Sequence, residues 1–181
     1  MEMISVMMRS LFLFLVVLAV SAAAYGQKAQ TMTIKVFFHD ENLNPNMQDC
    51  TKAFPTTRSI PKTTSVARAA LDELFKGTTE EERKKGFWAF DPESTTGIVK
   101  GLRVKNGAAY LNFTKLALEK LGNATTSCGA GFFPMVEGTL TQFPSIKKVY
   151  YAIEGDTNEF YEWAQVGECP YRKHCARSNF Q

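Results

Sequence analysis

The sequence predicts an α+β domain of split βαββαβ form, a two-layer sandwich whose antiparallel sheet carries two main helices on one face. Three observations predict it. Asn106-Gly107 lies between two alternating runs, Ile98 to Lys105 and Ala108 to Phe113, and is the pair that best tolerates the positive φ angles of a type I′ hairpin turn. Ala67, Ala70, Leu71 and Leu74 recur at helical spacing ahead of Gly77. Val136, Leu140 and Phe143 mark a second helix that Pro144 stops, after which Val149, Tyr151 and Ile153 alternate as a strand up to Gly155-Asp156.

In chain order, Thr31 to His39 reads as a strand with Ile34, Val36 and Phe38 on one face and Lys35, Phe37 and His39 on the other. Asp40 to Lys62 lacks periodicity and reads as a long loop with an extended piece around Phe54-Pro-Thr-Thr-Arg58. Thr64 or Ser65 caps the helix over 66–76. Thr79 with Glu82 forms a capping box for a short helix, Glu80 to Lys85, acidic at its start and basic at its end. The two-residue turn sets Lys105 opposite Ala108, Val104 opposite Ala109 and Leu102 opposite Leu111, so that Leu102, Val104, Ala109, Leu111 and Phe113 share one face and Arg103 and Tyr110 the other. Lys115 to Leu121 has room for one or two helical turns. Pro134 is acceptable only in a first turn, which starts the next helix between Ala130 and Phe133. Phe160 to Val166 reads as a short extra strand.

Arg9, the apolar run Leu11 to Val20 and the small residues up to Gly26 form a signal peptide pattern over 1–26, with cleavage expected before Gln27 and no stable membrane span left afterwards. The remaining chain divides into a domain over 27–166 and a tail over 167–181. The location expected is extracytoplasmic, periplasmic or secreted. Four cysteines, Cys50, Cys128, Cys169 and Cys175, in such a chain argue for two disulfides. Three pairings are possible; proximity in sequence favours Cys169 with Cys175, which leaves Cys50 with Cys128. The second bond would stabilise by roughly 4 kcal/mol on the chain-entropy model. A formal net charge of +3 leaves no large basic field for nucleic acid.

The residues also resemble a known family. Val36-Phe-Phe38, Pro55-Thr-Thr-Arg58, Arg68-Ala-Ala-Leu-Asp-Glu-Leu-Phe-Lys-Gly77 with Glu80-Glu-Glu-Arg83, Leu102 to Phe113, and Thr139 to Val149 with Gly155 are similar, in order and spacing, to the GerMN domain of bacterial sporulation and spore-germination proteins. The family commonly has Asp where Asn112 stands, and Gly129, Gly131 and Pro134 break a helix start that is usually continuous. The resemblance implies an exported single-domain bacterial member, similar in shape to ring-building motifs, that binds or assembles. It implies Cys50 with Cys128 as the pair seen in exported members, and it supplies no catalytic residues.

Candidate chemistry is sparse. Cys128 before Gly-Ala-Gly has the form of a helix-terminal thiolate, but behind a signal peptide it reads as half of a disulfide. His39-Asp40-Glu41 is a weak metal pattern beside the plainer reading of a solvated strand end. His174 beside Cys175 reads as loop. Asn112-Phe-Thr114 and Asn123-Ala-Thr125 match the glycosylation pattern, which the bacterial resemblance makes idle. No metal and no cofactor are expected. The open sheet face is the more informative place: Phe37, Tyr110 and Tyr150 with Arg103 and Lys35 form an aromatic platform with cationic edges, either exposed as a binding surface or covered by a C-terminal segment bearing Tyr161 and Trp163.

The function expected is a non-enzymatic cell-envelope module that binds a partner protein or cell-wall ligand or supports assembly, with self-association an option and no nucleic acid. The rivals are a small envelope-polymer hydrolase using Asp91 and Glu93, and an RNA-binding sheet.

Overall fold

The computed structural model describes residues 30–122 and 131–181. The strands are β1 (Thr31–Asp40), β2 (Phe54–Pro61), β3 (Phe87–Trp88), β4 (Val99–Lys105), β5 (Ala108–Phe113) and β6 (Lys148–Ile153). The helices are α1 (Val66–Phe75), α2 (Glu80–Lys84), α3 (Pro92–Thr95), α4 (Leu116–Lys120), α5 (Phe132–Thr141) and α6 (Thr157–Trp163). The α+β class is the one the chain adopts. Its strands divide into two three-stranded sheets, β2-β1-β3 and β4-β5-β6, where one antiparallel sheet was expected.

The hairpin follows from its turn. Asn106 and Gly107 have φ of 51° and 77°, both in the left-handed region a type I′ turn requires. Lys105 pairs with Ala108, Val104 with Ala109 and Leu102 with Leu111, and a bulge interrupts the register between Val99 and Gly101. The chain then returns through α5 to lay β6 beside β5 in parallel, Ala109 opposite Val149 and Phe113 opposite Ile153. A crossover helix between neighbouring strands gives this direction, and it corrects the expectation of a wholly antiparallel sheet.

β5 is central and buried along its whole length. One face carries Ala109, Leu111 and Phe113 into the main core, where α1, α5, β1 and α6 meet. Phe132 sits among Phe113, Tyr151 and Phe160, with ring centroids 5.9, 6.0 and 6.2 Å away. Burying side chains of this size contributes about 1.5–3 kcal/mol each. Val104, placed by the register on the same face, lies toward the open end of the edge strand and stays 40% exposed.

One segment differs from the sequence reading. Phe160 to Val166 is not a strand: Asp156 caps α6 by accepting hydrogen bonds from the N–H groups of Asn158 (2.9 Å) and Glu159 (3.3 Å), and this local cap starts a helix. The extended piece expected around Phe54 to Arg58 is β2, which runs on to Pro61 and is hydrogen-bonded to β1.

The free edge of β1 is closed by a helix. The Phe37 N–H donates to Thr139 Oγ1 (3.0 Å), the Lys35 N–H to Gln142 Oε1 (2.9 Å), and Gln142 Nε2 donates back to the Lys35 carbonyl (2.7 Å). Gln142 thus does with its side-chain amide what a neighbouring strand does with its backbone. The approach depends on Gly138, where an added Cβ would lie 2.7 Å from Phe37 Cδ1 and 3.1 Å from Phe37 Cβ. Gly138→Ala is expected to destabilise by about 1–3 kcal/mol through overpacking, outweighing the ~1 kcal/mol gain in helix propensity. A shift of the urea midpoint to higher concentration in this variant would contradict the close-approach argument.

Candidate functional site

The outer face of β4-β5-β6 is a second, smaller core. Ala108, Tyr110, Tyr150 and Ala152 point away from the main core and are buried beneath the C-terminal tail, whose Phe180 joins them. Tyr110 and Tyr150 stack at 5.7 Å, His174 lies flat on Tyr150 at 4.4 Å and 8°, and Phe180 meets Tyr110 edge-on at 5.5 Å. The tail is shaped by the Cys169–Cys175 disulfide, whose Cα atoms are 6.0 Å apart. Cys50 is also disulfide-bonded; Cys128, the partner expected for it, lies outside the described residues, as does Asn123-Ala-Thr125.

Hydrogen bonds pin the tail down. Arg103 Nη1 donates to the backbone oxygens of Ser178 (3.1 Å) and Gln181 (2.8 Å), and Tyr110 Oη lies 2.7 Å from His174 Nδ1. Asn112 is buried and uses both ends of its amide: Nδ2 donates to the Phe180 carbonyl (3.1 Å) and Oδ1 accepts the Gly155 N–H (2.9 Å). An aspartate at 112 would set a carboxylate oxygen against that carbonyl, so the amide suits a chain whose tail docks here.

The structure therefore brings together Tyr110, Tyr150 and Arg103 but not Phe37. That residue belongs to the other sheet, where it packs against Gly138 of α5. Lys35 is engaged through its backbone by Gln142. Tyr161 and Trp163, expected to cover the face, lie on α6 and pack with the main core. The residues that do the covering, Tyr171, His174 and Phe180, carried no periodicity in the sequence to mark them.

His174 is held below the ordinary histidine range by burial, with Lys173 and Lys148 adding to the effect. The unfolded chain consequently binds its proton more readily. This contribution to stability is complete above the unfolded value of about 6.5 and is lost as pH falls through it toward the lower folded value. The melting temperature is expected to drop between about pH 7 and pH 5 and to drop less in His174→Gln. Identical pH profiles for the two proteins would remove His174 as the cause.

A second candidate is a cleft of about 400 Å³ between β2 and the α1–α2 connection, lined by Arg58, Glu73, Lys76, Gly77, Glu82 and Lys85 among others. At its base Arg58 donates to Glu82 Oε1 (3.1 Å) and Oε2 (2.5 Å), to the carbonyls of Glu73 (2.7 Å) and Gly77 (2.6 Å), and to Glu73 Oε2 (3.2 Å). Burial alone would raise the Glu82 carboxyl. The Arg58 guanidinium and the Thr79 N–H outweigh it and hold the group below its ordinary value.

His39 is not a solvated strand end. It is buried because β3 pairs here, His39 opposite Trp88; its Nε2 lies 3.2 Å from Glu41 Oε2 and its ring 4.9 Å from that of Trp88. Among the described residues no group of three or more His, Cys, Asp or Glu side chains is placed to hold a metal ion.

A family model described as sporulation and spore germination, Germane, matches residues 35–159. The chain belongs to the Germane family. The Germane match spans the Arg58 cleft and both sheets and ends before the tail that covers the outer face. Among solved structures, this Germane chain is similar to the tandem GerMN domains of the sporulation protein GerM from Bacillus subtilis, with 22% identity, a TM-score of 0.49, and coverage of 71% of this chain and 40% of that one. It is also similar to the first GerMN domain of the same protein, with 19% identity, a TM-score of 0.43, and coverage of 81% and 98%. The chain thus spans 40% of the tandem structure. No curated protein matches it.

Proposed function

We propose that this Germane chain is a non-catalytic interaction module working outside the cytoplasm, where it binds an envelope protein or cell-wall ligand or supports assembly. The observation that carries the reading is the Arg58 cleft. Three carboxylates, Glu73, Glu81 and Glu82, line this recess; Glu73 and Glu82 are tied to one guanidinium, with Glu82 stabilised as the carboxylate, and Glu81 lies exposed at the surface. A carboxylate held in that form is a poor proton donor, and general acid catalysis of glycoside hydrolysis needs the opposite shift. Asp91 and Glu93, the acids of the hydrolase alternative, are exposed on the surface, and Asp91 accepts the Glu93 N–H as the cap of α3. The disulfide of the tail supports an oxidising compartment, and the family description supports an envelope or spore setting.

The reading is tested by incubating the purified chain with cell-wall polymer and with chromogenic ester substrates. No turnover above background is expected. Turnover abolished by Asp91→Asn, Glu93→Gln or Glu82→Gln in a folded variant would replace the module with an enzyme.

A further inference from the structure

The weak net charge of the chain conceals a strongly basic end. Lys105, Ala108 and Lys148 lie in one row across β4, β5 and β6, so the two lysines share the outer face about two strand spacings apart, ~10 Å. Lys147 joins them at the hairpin turn, where its N–H donates to the Gly107 carbonyl (2.7 Å). The tail adds Arg172 and Lys173, and Lys173 and Lys148 lie close enough to His174 for both to disfavour its charged form. All five cations are exposed. Among the described residues none of the five forms an ion pair with a carboxylate, and from Cys169 to Gln181 the chain has no Asp or Glu. The unneutralised charge at this end therefore exceeds what the formal +3 of the whole chain suggests.

An exposed aromatic ring sits within the cluster. Tyr171 is 48% exposed, with Lys148 Nζ 4.4 Å from its ring centroid and 3.2 Å from its hydroxyl. Lysine and arginine around a half-exposed tyrosine suit an interface between phosphate headgroups and acyl chains, where an amphipathic ring has one apolar and one wet side. A soluble polyanion without rings would use the cations and leave the tyrosine idle, and the export pattern over 1–26 argues against nucleic acid, whose bases could stack on it.

We propose that this end of the molecule, Lys105, Lys147, Lys148 and Tyr171 to Lys173, docks on an anionic lipid surface. The docking names one partner of the interaction module proposed above and rests on that reading; failure to bind lipid would leave the module standing, whereas catalytic turnover would remove the module and leave lipid binding to be judged by itself.

The test is cosedimentation of residues 27–181, which hold the compact unit 32–181, with vesicles of phosphatidylglycerol and phosphatidylcholine in equal parts, against vesicles of phosphatidylcholine alone. Binding to the anionic vesicles at 0.1 M salt and release at 0.5 M are expected, because screening shortens to a few ångströms. Each lysine removed from an anionic surface is worth roughly fivefold, so Lys105→Glu with Lys173→Glu should weaken binding at least about 25-fold. Lys84→Glu with Lys115→Glu, the same change in net charge on α2 and at the start of α4, should leave binding within about twofold. Tyr171→Ala should weaken vesicle binding with no change in charge. Equal sedimentation with neutral vesicles, equal loss in both double variants, or capture of soluble RNA or poly(glycerol phosphate) with none of the anionic vesicles would overturn the proposal. Circular dichroism melts confirm that each variant is folded.

Discussion

Arg58→Ala is expected to lose about 3–5 kcal/mol of stability, the range for removing one partner of a buried ion pair, and to unfold at a markedly lower urea concentration. The Arg58 side chain is only 10% exposed, and its removal leaves Glu82, 9% exposed, with the Thr79 N–H but no cation, and Glu73, 18% exposed, with Lys76 alone. It also leaves two carbonyls without their donor and takes a cation from above the Phe38 ring, 5.1 Å away. Arg58→Lys should recover little, since an ammonium cannot reproduce the forked contact with Glu82 while also reaching Glu73 and Gly77. The pH dependence distinguishes lost charge pairing from lost packing. In the wild type the depressed Glu82 carboxyl contributes stability above its unfolded value of about 4.5, and that contribution disappears as pH falls through the folded value. In Arg58→Ala the buried Glu82 carboxylate, left without its cation, is relieved by protonation instead. The gap between the two proteins should therefore narrow from pH 7 to pH 4, and a constant gap would point to packing alone.

Phe180→Ala is expected to lose about 3 kcal/mol, the lower end for truncating a buried phenylalanine, and to raise the solvent access of the tyrosines beneath. Phe180 is 5% exposed and closes Tyr110 from above, and its carbonyl receives the Asn112 amide. Once its ring is gone, the tail is held by Arg103, the His174 contacts and the disulfide loop. Tyrosine fluorescence quenching by a neutral solute and a thermal melt report the change together. An unaltered melt with unaltered quenching would mean that the tail contributes nothing to the sheet it covers.

The sequence carried the local parts of this fold and lost the distant ones. Asn106-Gly107 determined its own turn and with it the strand register, because a two-residue loop leaves no freedom between its flanking residues. The capping box at Thr79 and Glu82 and the stop at Pro144 are local in the same sense. The division into two sheets depends on which strands meet after long connections, and no residue pattern within β1 states whether it will lie beside β4 or β2. The segment from Phe160 is ambiguous for a different reason: Phe160, Tyr161, Trp163 and Ala164 suit either period, and the decisive signal is Asp156 upstream, which can close a strand or cap a helix. On the outer face, Tyr110, Tyr150 and Arg103 could be read from the alternation of their strands. Their cover could not, because His174 and Phe180 belong to a tail with no repeating pattern, and Asn112 shows its purpose only when the carbonyl it serves is in place.

The amide of Gln142 has a consequence for how copies of this chain can meet. Exposed strand edges invite addition of a strand from a second molecule. Along this border the Lys35 N–H and carbonyl and the Phe37 N–H are already taken by Gln142 and Thr139, and β3 pairs at His39 and Asp40. This stretch of the first sheet's border offers few open backbone groups to a further strand. A strand added at these positions would first have to displace the Gln142 amide and the Thr139 hydroxyl.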